Sequence, residues 1–303
     1  MQKGAMKWDD LRVFLAVARH ARLQSAGRAL GLDPATVGRR IAALENALDA
    51  RLFDRSPQGY TITEAGRGLL EHAHGIESLA SAAAEQVGGQ ADLLSGTVRI
   101  GAPDGVSNYL IVDACDALSR DNPGLQVQVV ALSRMFSLSK READLAITVA
   151  PPTAGRLTVR KIADYRLHLY AHADLIAGRG PVRGLADLHD LRGIGYISDM
   201  VFDRELDYYA LLGRETEPSL TSNSLMVQLG WCRRGFGLCI LPDFVAREHS
   251  ELVPVLPEDI RLTRSFYLVR HQDDARVARI NRMAEVVVDW MRESLTGLFE
   301  PAA

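Results

Sequence analysis

The chain opens on a helical rhythm. Trp8, Leu11, Phe14, Leu15 and Ala18 recur at steps of three and four, which predicts an amphipathic helix over about 8–21. Ser25 to Leu30 is a second, shorter helical pattern, stopped at Gly31. Asp33-Pro34 then opens a third. The Asp33 carboxylate can accept the free amide protons of a first turn, and proline suits the first helical position. Val37, Ile41, Leu44 and Leu48 form the buried stripe of this helix, with Thr36, Arg39, Arg40 and Ala43 on its other faces. After Leu52-Phe53, Pro57 and Gly59 separate two short extended pieces, a hairpin pattern. Two helices in tight succession, the second capped and carrying an arginine pair, followed by a hairpin wing, make the layout of a winged helix-turn-helix. From Thr63, a candidate cap, the positions Gly66, Leu69, Ala73, Ile76, Ala80, Ala83 and Val87 alternate steps of three and four. That is a heptad stripe on one long helix, open to two readings: packing on the chain's own body, or pairing with another helix. Gly88-Gly89-Gln90 breaks it, and Leu93 to Gly96 reads as a hinge.

From Thr97 the pattern changes to alternating strands and helices. Strands are predicted at 97–102, 125–132, 144–149, 157–163, 166–171, 193–197, 238–241 and 261–269. Helices are predicted at about 110–120, 202–212, 225–234 and 276–295. Such alternation implies parallel sheets with covered faces, an α/β body.

Composition sharpens this picture at one point. The 303 residues are 47% hydrophobic and 24% charged with net charge −3, ordinary globular values that argue against disordered or fibrous classes. Residues 1–60 nevertheless hold ten Lys/Arg against six Asp/Glu, a net +4, which leaves −7 for the rest. A small basic head on an acidic body fits a nucleic-acid-binding module fused to something else. Arg55 and Gln58 sit on the wing, within reach of phosphate or a minor groove. The first residues carry no hydrophobic signal core, and no apolar run is long enough to span a membrane. Three cysteines, Cys115, Cys232 and Cys239, do not make a disulfide framework, so a reducing cytoplasm is expected.

Enzymatic chemistry is not visible in the sequence. There is no nucleophile elbow, no Walker loop and no zinc spacing. Gly235-Phe236-Gly237 follows a helix and precedes a strand, the reverse of a nucleotide fingerprint. His72 and His74 do not share a helix face, and His168 with His172 is too few groups for a metal. No cofactor and no metal are expected.

The head resembles the LysR-type transcriptional regulators. The resemblance runs ungapped from Leu11-Arg12-Val13-Phe14-Leu15-Ala16-Val17-Ala18 through Leu23, Ala26, Ala29-Leu30, Val37, Arg39, Ile41 and Leu44-Glu45. It continues through Leu52-Phe53-Asp54-Arg55 to Thr61-Ile62-Thr63-Glu64-Ala65-Gly66. One departure stands out. Where the family usually has Ser-Gln-Pro/Ser-Ala-Val-Ser, this chain has Asp33-Pro34-Ala35-Thr36-Val37-Gly38. Base reading must then lean on Thr36, Arg39 and Arg40, and Asp33 reads as a cap. The candidate DNA contacts are Gln24, Ser25, Ala35, Thr36, Arg39, Arg40, Arg55 and Gln58. The resemblance favours the pairing reading of the long helix, with Leu69, Ala73, Ile76, Ala80, Ala83 and Val87 as a dimer seam.

The body is similar to the LysR effector domain, itself similar to periplasmic binding proteins. Gly96 to Ala102, Glu142-Ala143-Asp144-Leu145-Ala146-Ile147, and Gly230 through Gly235-Phe236-Gly237 to Pro242 carry the similarity. It implies a winged helix-turn-helix at 1–62, a linker helix and hinge at 63–96, and an effector-binding domain at 97–303. That domain would divide into subdomains 97–165 with 271–303, and 166–270, around a ligand cleft. Asp104, Gly105, Val106, Ser107, Thr148, Val149, Ser198, Asp199 and Asn223 are the expected cleft residues, at strand ends and helix starts. Two acids there disfavour an anion and favour a hydroxylated, neutral or cationic ligand, unless each Asp merely caps a helix. The expected partners are double-stranded promoter DNA, a small-molecule effector and further copies of the chain, as dimer or tetramer. The alternatives are a regulator that works by DNA occupancy alone and an α/β enzyme with a DNA-binding head.

Overall fold

A computed structural model describes residues 6–57, 59–87, 94–131, 143–152, 155–179, 181–200, 208 and 218–296. The chain divides into two compact units, residues 1–89 and 90–303. The expected helix at 202–212 (Tyr208 aside), the Gly88-Gly89-Gln90 break, Leu132 and Gln58 lie outside the described residues, as does the Val87 side chain.

The first unit begins with α1 (Trp8–His20), α2 (Leu23–Leu30) and α3 (Pro34–Leu48). Gly31 ends α2 in the left-handed region at φ 66°, and the Leu32 amide returns to the Gly27 carbonyl at 2.9 Å. Asp33 caps α3, its carboxylate accepting from the Ala35 amide at 2.8 Å with Pro34 in the first turn. Val37, Ile41 and Leu44 are fully buried, each worth roughly 1.5–3 kcal/mol of burial. Leu48 is 37% exposed. The apolar stripe of α3 therefore ends one turn earlier than its spacing predicts, because the last turn leads out to the surface cap at Asp49.

The wing is β1 (Phe53–Ser56) against β2 (Gly59–Ile62), antiparallel. Phe53 anchors it in the core, 5.3 Å from the Phe14 ring. The Tyr60 amide donates to the Ala21 carbonyl at 2.8 Å. A Cβ on Gly59 would lie 2.4 Å from that carbonyl, at a φ of 138° that only glycine adopts easily, so the wing tip requires this glycine. The long α4 (Glu64–Val87) follows, its first turn held by Thr63 Oγ1, which accepts from the Gly66 amide at 3.0 Å.

The second unit is built on one nine-stranded sheet. Its strands are β3 (Ser95–Ala102), β4 (Gly124–Ala131), β5 (Leu145–Thr148), β6 (Leu157–His172), β7 (Gly193–Gly195), β8 (Leu220–Thr221), β9 (Leu238–Pro242), β10 (Leu252–Val255) and β11 (Arg261–His271). The order is β4-β3-β5-β11-β6-β9-β7-β8, with β10 on β6. β3, β4 and β5 are parallel, as are β7, β8 and β9. These parallel groups are joined by β6 and β11, which run antiparallel over the whole of β11 and residues 157–168 of β6. The sheet is thus mixed, not parallel throughout. The two pieces expected at 157–163 and 166–171 are one continuous 16-residue strand. The presumed hinge residues Ser95 and Gly96 are already paired, with Gly124 and Leu125.

The helices of this unit are α5 (Asp104–Tyr109), α6 (Val112–Asp121), α7 (Ala173–Ala177), α8 (Leu225–Cys232), α9 (Asp243–Ala246) and α10 (Ala278–Thr296). α10 buries Ile280, Met283, Val287, Val288 and Met291 against α6, β3 and β6. One core runs through the unit, from Val98 and Ile100 to Leu238 and Ile240.

Candidate functional site

Each unit offers its own site. In the head, α3 presents a polar face whose first member is Thr36. Its Oγ1 accepts from Arg39 Nη2 at 2.8 Å, so one turn of helix holds a hydroxyl and a guanidinium together at an exposed surface. Gln24 and Ala35 are exposed and Ser25 is half-buried. The other expected arginines are differently placed. Arg40 is half-buried and ion-paired to Asp9, with Asp10 at 3.7 Å, so it clamps α3 to α1 and is not a free reader. Arg55 pairs with Glu45 at 2.8 Å and lies over the Tyr60 ring. Both placements have one cause: an acid from a neighbouring element meets the arginine, a relation that spacing along the chain does not reveal. Arg22, Arg28 and Arg51 are exposed and in no ion pair among the described residues. They join Arg39 as candidate phosphate contacts, and sequence reading passed over them because they lie outside the recognition pattern.

Glu45 is the organising acid of the head. Its Oε1 accepts from the Leu52 amide at 2.9 Å and the Phe53 amide at 3.3 Å, and its Oε2 accepts from Arg55. One carboxylate therefore fixes the wing to the recognition helix.

The heptad stripe of α4 divides in two. Ala73 is buried in the head's own core, with Leu69 and Ile76 half-buried against it. These three pack on the head's own core within one chain. Ala80 and Ala83 are exposed, and so is Leu79, at 53%, which the stripe did not include. At the same level Glu77 accepts from Arg19 of α1 at 3.1 Å and lies 3.5 Å from His74 Nδ1. Burial works to raise the Glu77 carboxyl, but the bonds from His74 and Arg19 outweigh it and hold the carboxyl down at about 2.

In the body, a small cavity of about 40 Å³ is lined from α5, α8, β6, β9 and β11. Five of its lining side chains are aromatic: Tyr165, Tyr196, Tyr208, Phe244 and Phe266. Tyr165 and Phe266 stack at 4.0 Å and 7°, and Phe244 turns its edge to both at 6.0 Å. Burial pushes the Tyr165 and Tyr196 hydroxyls well above the usual phenol range, so both are neutral donors.

Asp104, Gly105, Val106 and Val149 line this cavity, and the other expected cleft residues do not. Ser107 is buried and turns back to the Ala102 carbonyl at 3.4 Å. Thr148 Oγ1 donates to the Ala150 carbonyl at 2.7 Å. Ser198 and Asp199 are exposed on the 198–200 turn, and Asn223 is half-exposed in the approach to α8. Of the five aromatics, Tyr165 and Phe266 lie within β6 and β11, Phe244 lies in α9, and Tyr196 follows β7.

Asp104 is fully engaged. Oδ1 accepts from the Gly105 amide at 2.9 Å, and Oδ2 from Ser224 Oγ at 2.6 Å and the Met226 amide at 3.4 Å. From the first position of α5 it reaches the first turn of α8, whose N-cap is Ser224. Ser224, one residue past the expected Asn223, is signalled by the apolar run Leu225-Met226-Val227 that it precedes.

Other chemistry is quiet. Cys115, Cys232 and Cys239 are buried, free thiols. Burial pushes Cys115 up to about 11 and Cys232 up to about 12, which leaves both protonated and unreactive. His168 Nδ1 lies 2.8 Å from Asp243, and His172 Nδ1 accepts from the Asp174 amide. Among the described residues no group of three His, Cys, Asp or Glu is placed to hold a metal ion, and no helix is long and apolar enough to cross a membrane.

Residues 8–67 match the sequence model described as bacterial regulatory helix-turn-helix protein, lysR family. Residues 91–292 match that of the LysR substrate binding domain. The HTH-type transcriptional regulator DmlR of Escherichia coli is 31% identical over 261 residues, 82% of this chain and 83% of that protein. The HTH-type transcriptional regulator PtxR of Pseudomonas aeruginosa is 28% identical over 257 residues, 82% of this chain and 81% of its own. Among solved structures, a full-length OxyR variant from Pseudomonas aeruginosa superposes with a TM-score of 0.73 at 18% identity, covering 95% of this chain and 98% of the other. Full-length LysG from Corynebacterium glutamicum with bound effector Arg gives 0.66 at 18% identity, covering 95% and 99%. At these identities the two structures speak to the fold.

Proposed function

The chain belongs to the LysR family of bacterial transcriptional regulators, and on that premise we propose how its two units divide the work. The family supplies a helix-turn-helix that binds DNA and an effector-binding domain that tunes it. In this chain we assign base reading to the Thr36–Arg39 face of α3. Thr36 can offer its methyl to thymine, and Arg39 can grip guanine in bidentate fashion, worth about 1–3 kcal/mol of discrimination. Arg22, Arg28 and Arg51 contribute phosphate contacts that carry no sequence information. Arg40 and Arg55 act indirectly, by holding α3 to α1 and the wing to α3.

The observation that carries this reading is the Thr36–Arg39 bond. It leaves one arginine of the recognition helix exposed and pre-oriented, while its neighbour is tied to Asp9. A single short helix makes few contacts, so specificity requires two heads held at fixed separation. The exposed Leu79, Ala80 and Ala83 on α4 support self-association there, with dimer and tetramer as the candidate states. The aromatic cavity of the body supports the binding of a small molecule that biases the oligomer between two arrangements. A soluble cytoplasmic regulator without catalysis is the reading that fits these parts.

Rounds of selection from random-sequence duplexes by the purified full chain test it. The expected product is an interrupted palindrome with half-sites spaced by whole helical turns. Selected sequences without a shared motif would overturn it. Ala83→Glu and Leu79→Glu should lower the association state in sedimentation, and unchanged profiles for both would remove α4 from the seam.

A further inference from the structure

We infer that Arg19 and Glu77 are positioning residues for DNA recognition. By fastening α4 to α1 they fix the direction in which α4 leaves the head, and so the spacing between half-sites that two paired heads accept. The inference rests on the self-association through α4 proposed above and adds the residues that set its geometry.

α4 is fastened to the head at three levels. In its first turn Gly66 presses on the base of the wing: a Cβ there would lie 2.3 Å from the Leu52 carbonyl oxygen and 2.7 Å from Ile62 Cγ1. Further along, Ala73 is buried in the head's core, with Leu69 and Ile76 packed beside it. One turn beyond, Glu77 meets Arg19, which stands in the last turn of α1. The first two levels are close packing, which is non-directional and holds the helix against the head without fixing its tilt. The third is directional. Arg19 Nη1 donates to Glu77 Oε1 at 3.1 Å and Nη2 donates to Oε2, a two-pronged bond that sets angle as well as distance. His74, 4% exposed, brings Nδ1 to 3.5 Å from the same carboxylate.

The clamp also stands at a boundary. Among the described residues of α4 past Glu77, Leu79, Ala80 and Ala83 are exposed, and these are the side chains assigned to the seam. Glu77 thus separates the part of α4 that belongs to the head from the part that pairs. On the other side of the bond, Arg19 lies two residues before Ala21, whose carbonyl accepts the Tyr60 amide of the wing at 2.8 Å. One ion pair therefore joins the seam to the corner that holds the wing.

Half-site spacing is sensitive to that angle. A turn of B-DNA is about 34–36 Å and about 10–10.5 base pairs, so one added base pair moves a half-site by about 3.4 Å and turns it by about 35°. Heads on firmly held helices cannot follow both changes and engage one spacing, whereas heads on loosened helices accept several.

Equilibrium binding of the full chain to duplexes with two selected half-sites tests this, with the spacer lengthened or shortened by one base pair and a single half-site as reference. Wild type should prefer one spacer at least about tenfold over its neighbours, because a spacing that forbids simultaneous engagement forfeits the avidity. Arg19→Ala and Glu77→Gln should each reduce that preference to about threefold or less, as the clamp no longer excludes the other spacings. Both should bind the single half-site as wild type does and keep the wild-type association state in sedimentation. Glu77→Gln keeps the side chain's shape, so the test stands if Arg19→Ala does not fold. A wild-type preference retained in the variants overturns the inference and leaves pairing through α4 standing. Arg19→Ala weakened equally on every duplex, with Glu77→Gln unchanged, marks Arg19 as a phosphate contact and overturns it as well. A fall in association state in both variants overturns it by placing the two residues in the seam itself. No spacer preference in wild type overturns the inference and the pairing together.

Discussion

In the head, Glu45 accepts two backbone amides and an arginine, and in the body Asp104 accepts two backbone amides and a serine. Both carboxylates join two elements of one unit by satisfying donors that no regular ladder serves. Their consequences differ. Glu45 fixes the wing from behind and leaves the Thr36–Arg39 face of α3 exposed. Asp104 ties α5 to the first turn of α8 at the wall of the aromatic cavity. The same local chemistry thus frames a recognition face in one unit and a cavity wall in the other.

The largest effect expected separates the two units. Phe53→Ala removes a fully buried ring that packs on Phe14 and should cost the head about 3–5 kcal/mol in chemical denaturation. DNA binding should fail while the denaturation midpoint of the body is unchanged, because the two cores are distinct. Loss of both together would break the comparison at its root.

Next in size, Glu45→Ala leaves the Leu52 and Phe53 amides without their acceptor and should cost about 2 kcal/mol. The measurement is again the denaturation midpoint of the head. Asp104→Ala removes the acceptor of Ser224 Oγ and of two amides and should cost about 1 kcal/mol. A body destabilised by Asp104→Ala more than the head is by Glu45→Ala would reverse the ranking.

A smaller contrast divides the two adjacent arginines. Arg40→Ala breaks a half-exposed pair and should lower stability by up to about 1 kcal/mol, with sequence preference kept. Arg39→Ala should leave stability within about 0.5 kcal/mol, as a surface change. Its effect belongs to DNA recognition.

A further effect is electrostatic. The Glu77 carboxyl is held at about 2, below its ordinary value of 4.5. Its contribution to the stability of the head is present above that ordinary value and is lost as pH falls from about 4.5 toward about 2. Glu77→Gln should flatten this part of the stability-versus-pH curve. An unchanged curve would remove the Arg19–Glu77–His74 contact from the account.

The two units also differ in how far the sequence discloses them. α1, α2, α3 and the wing are short-range objects. Apolar steps of three and four, Gly31, the Asp33-Pro34 cap and the Pro57/Gly59 turn define them locally, and all of these are legible. The ion pairs of Arg40 and Arg55 are not, since Asp9 and Glu45 reach them from elsewhere in the fold. In the body, the two strand pieces at 157–163 and 166–171 leave Asp164 and Tyr165 between them. The strand continues through them because Asp164 finds Lys161 at 2.7 Å and Ser265 across the sheet. The aromatic cavity was invisible for a related reason. Tyr165 meets Phe266 only through the register of β6 and β11, in which Tyr165 pairs with Arg264 and Phe266 with Ala163. Diagonal contacts of this kind arise between strands a hundred residues apart, and composition at strand ends carries no trace of them. The polar residues that the sequence offered instead, Ser107 and Thr148, bond to their own backbone.

The central claim is that Arg39, held by Thr36, reads sequence while its neighbours position it. The most direct measurement is the affinity of wild type and Arg39→Ala for the selected duplex and for its single-base-pair variants, at several salt concentrations. The account predicts that Arg39→Ala loses about 1–3 kcal/mol on the selected duplex and becomes indifferent at one base pair in each half-site. Uniform weakening on every duplex, with the salt slope reduced by about one, would mark Arg39 as a phosphate contact and contradict the account.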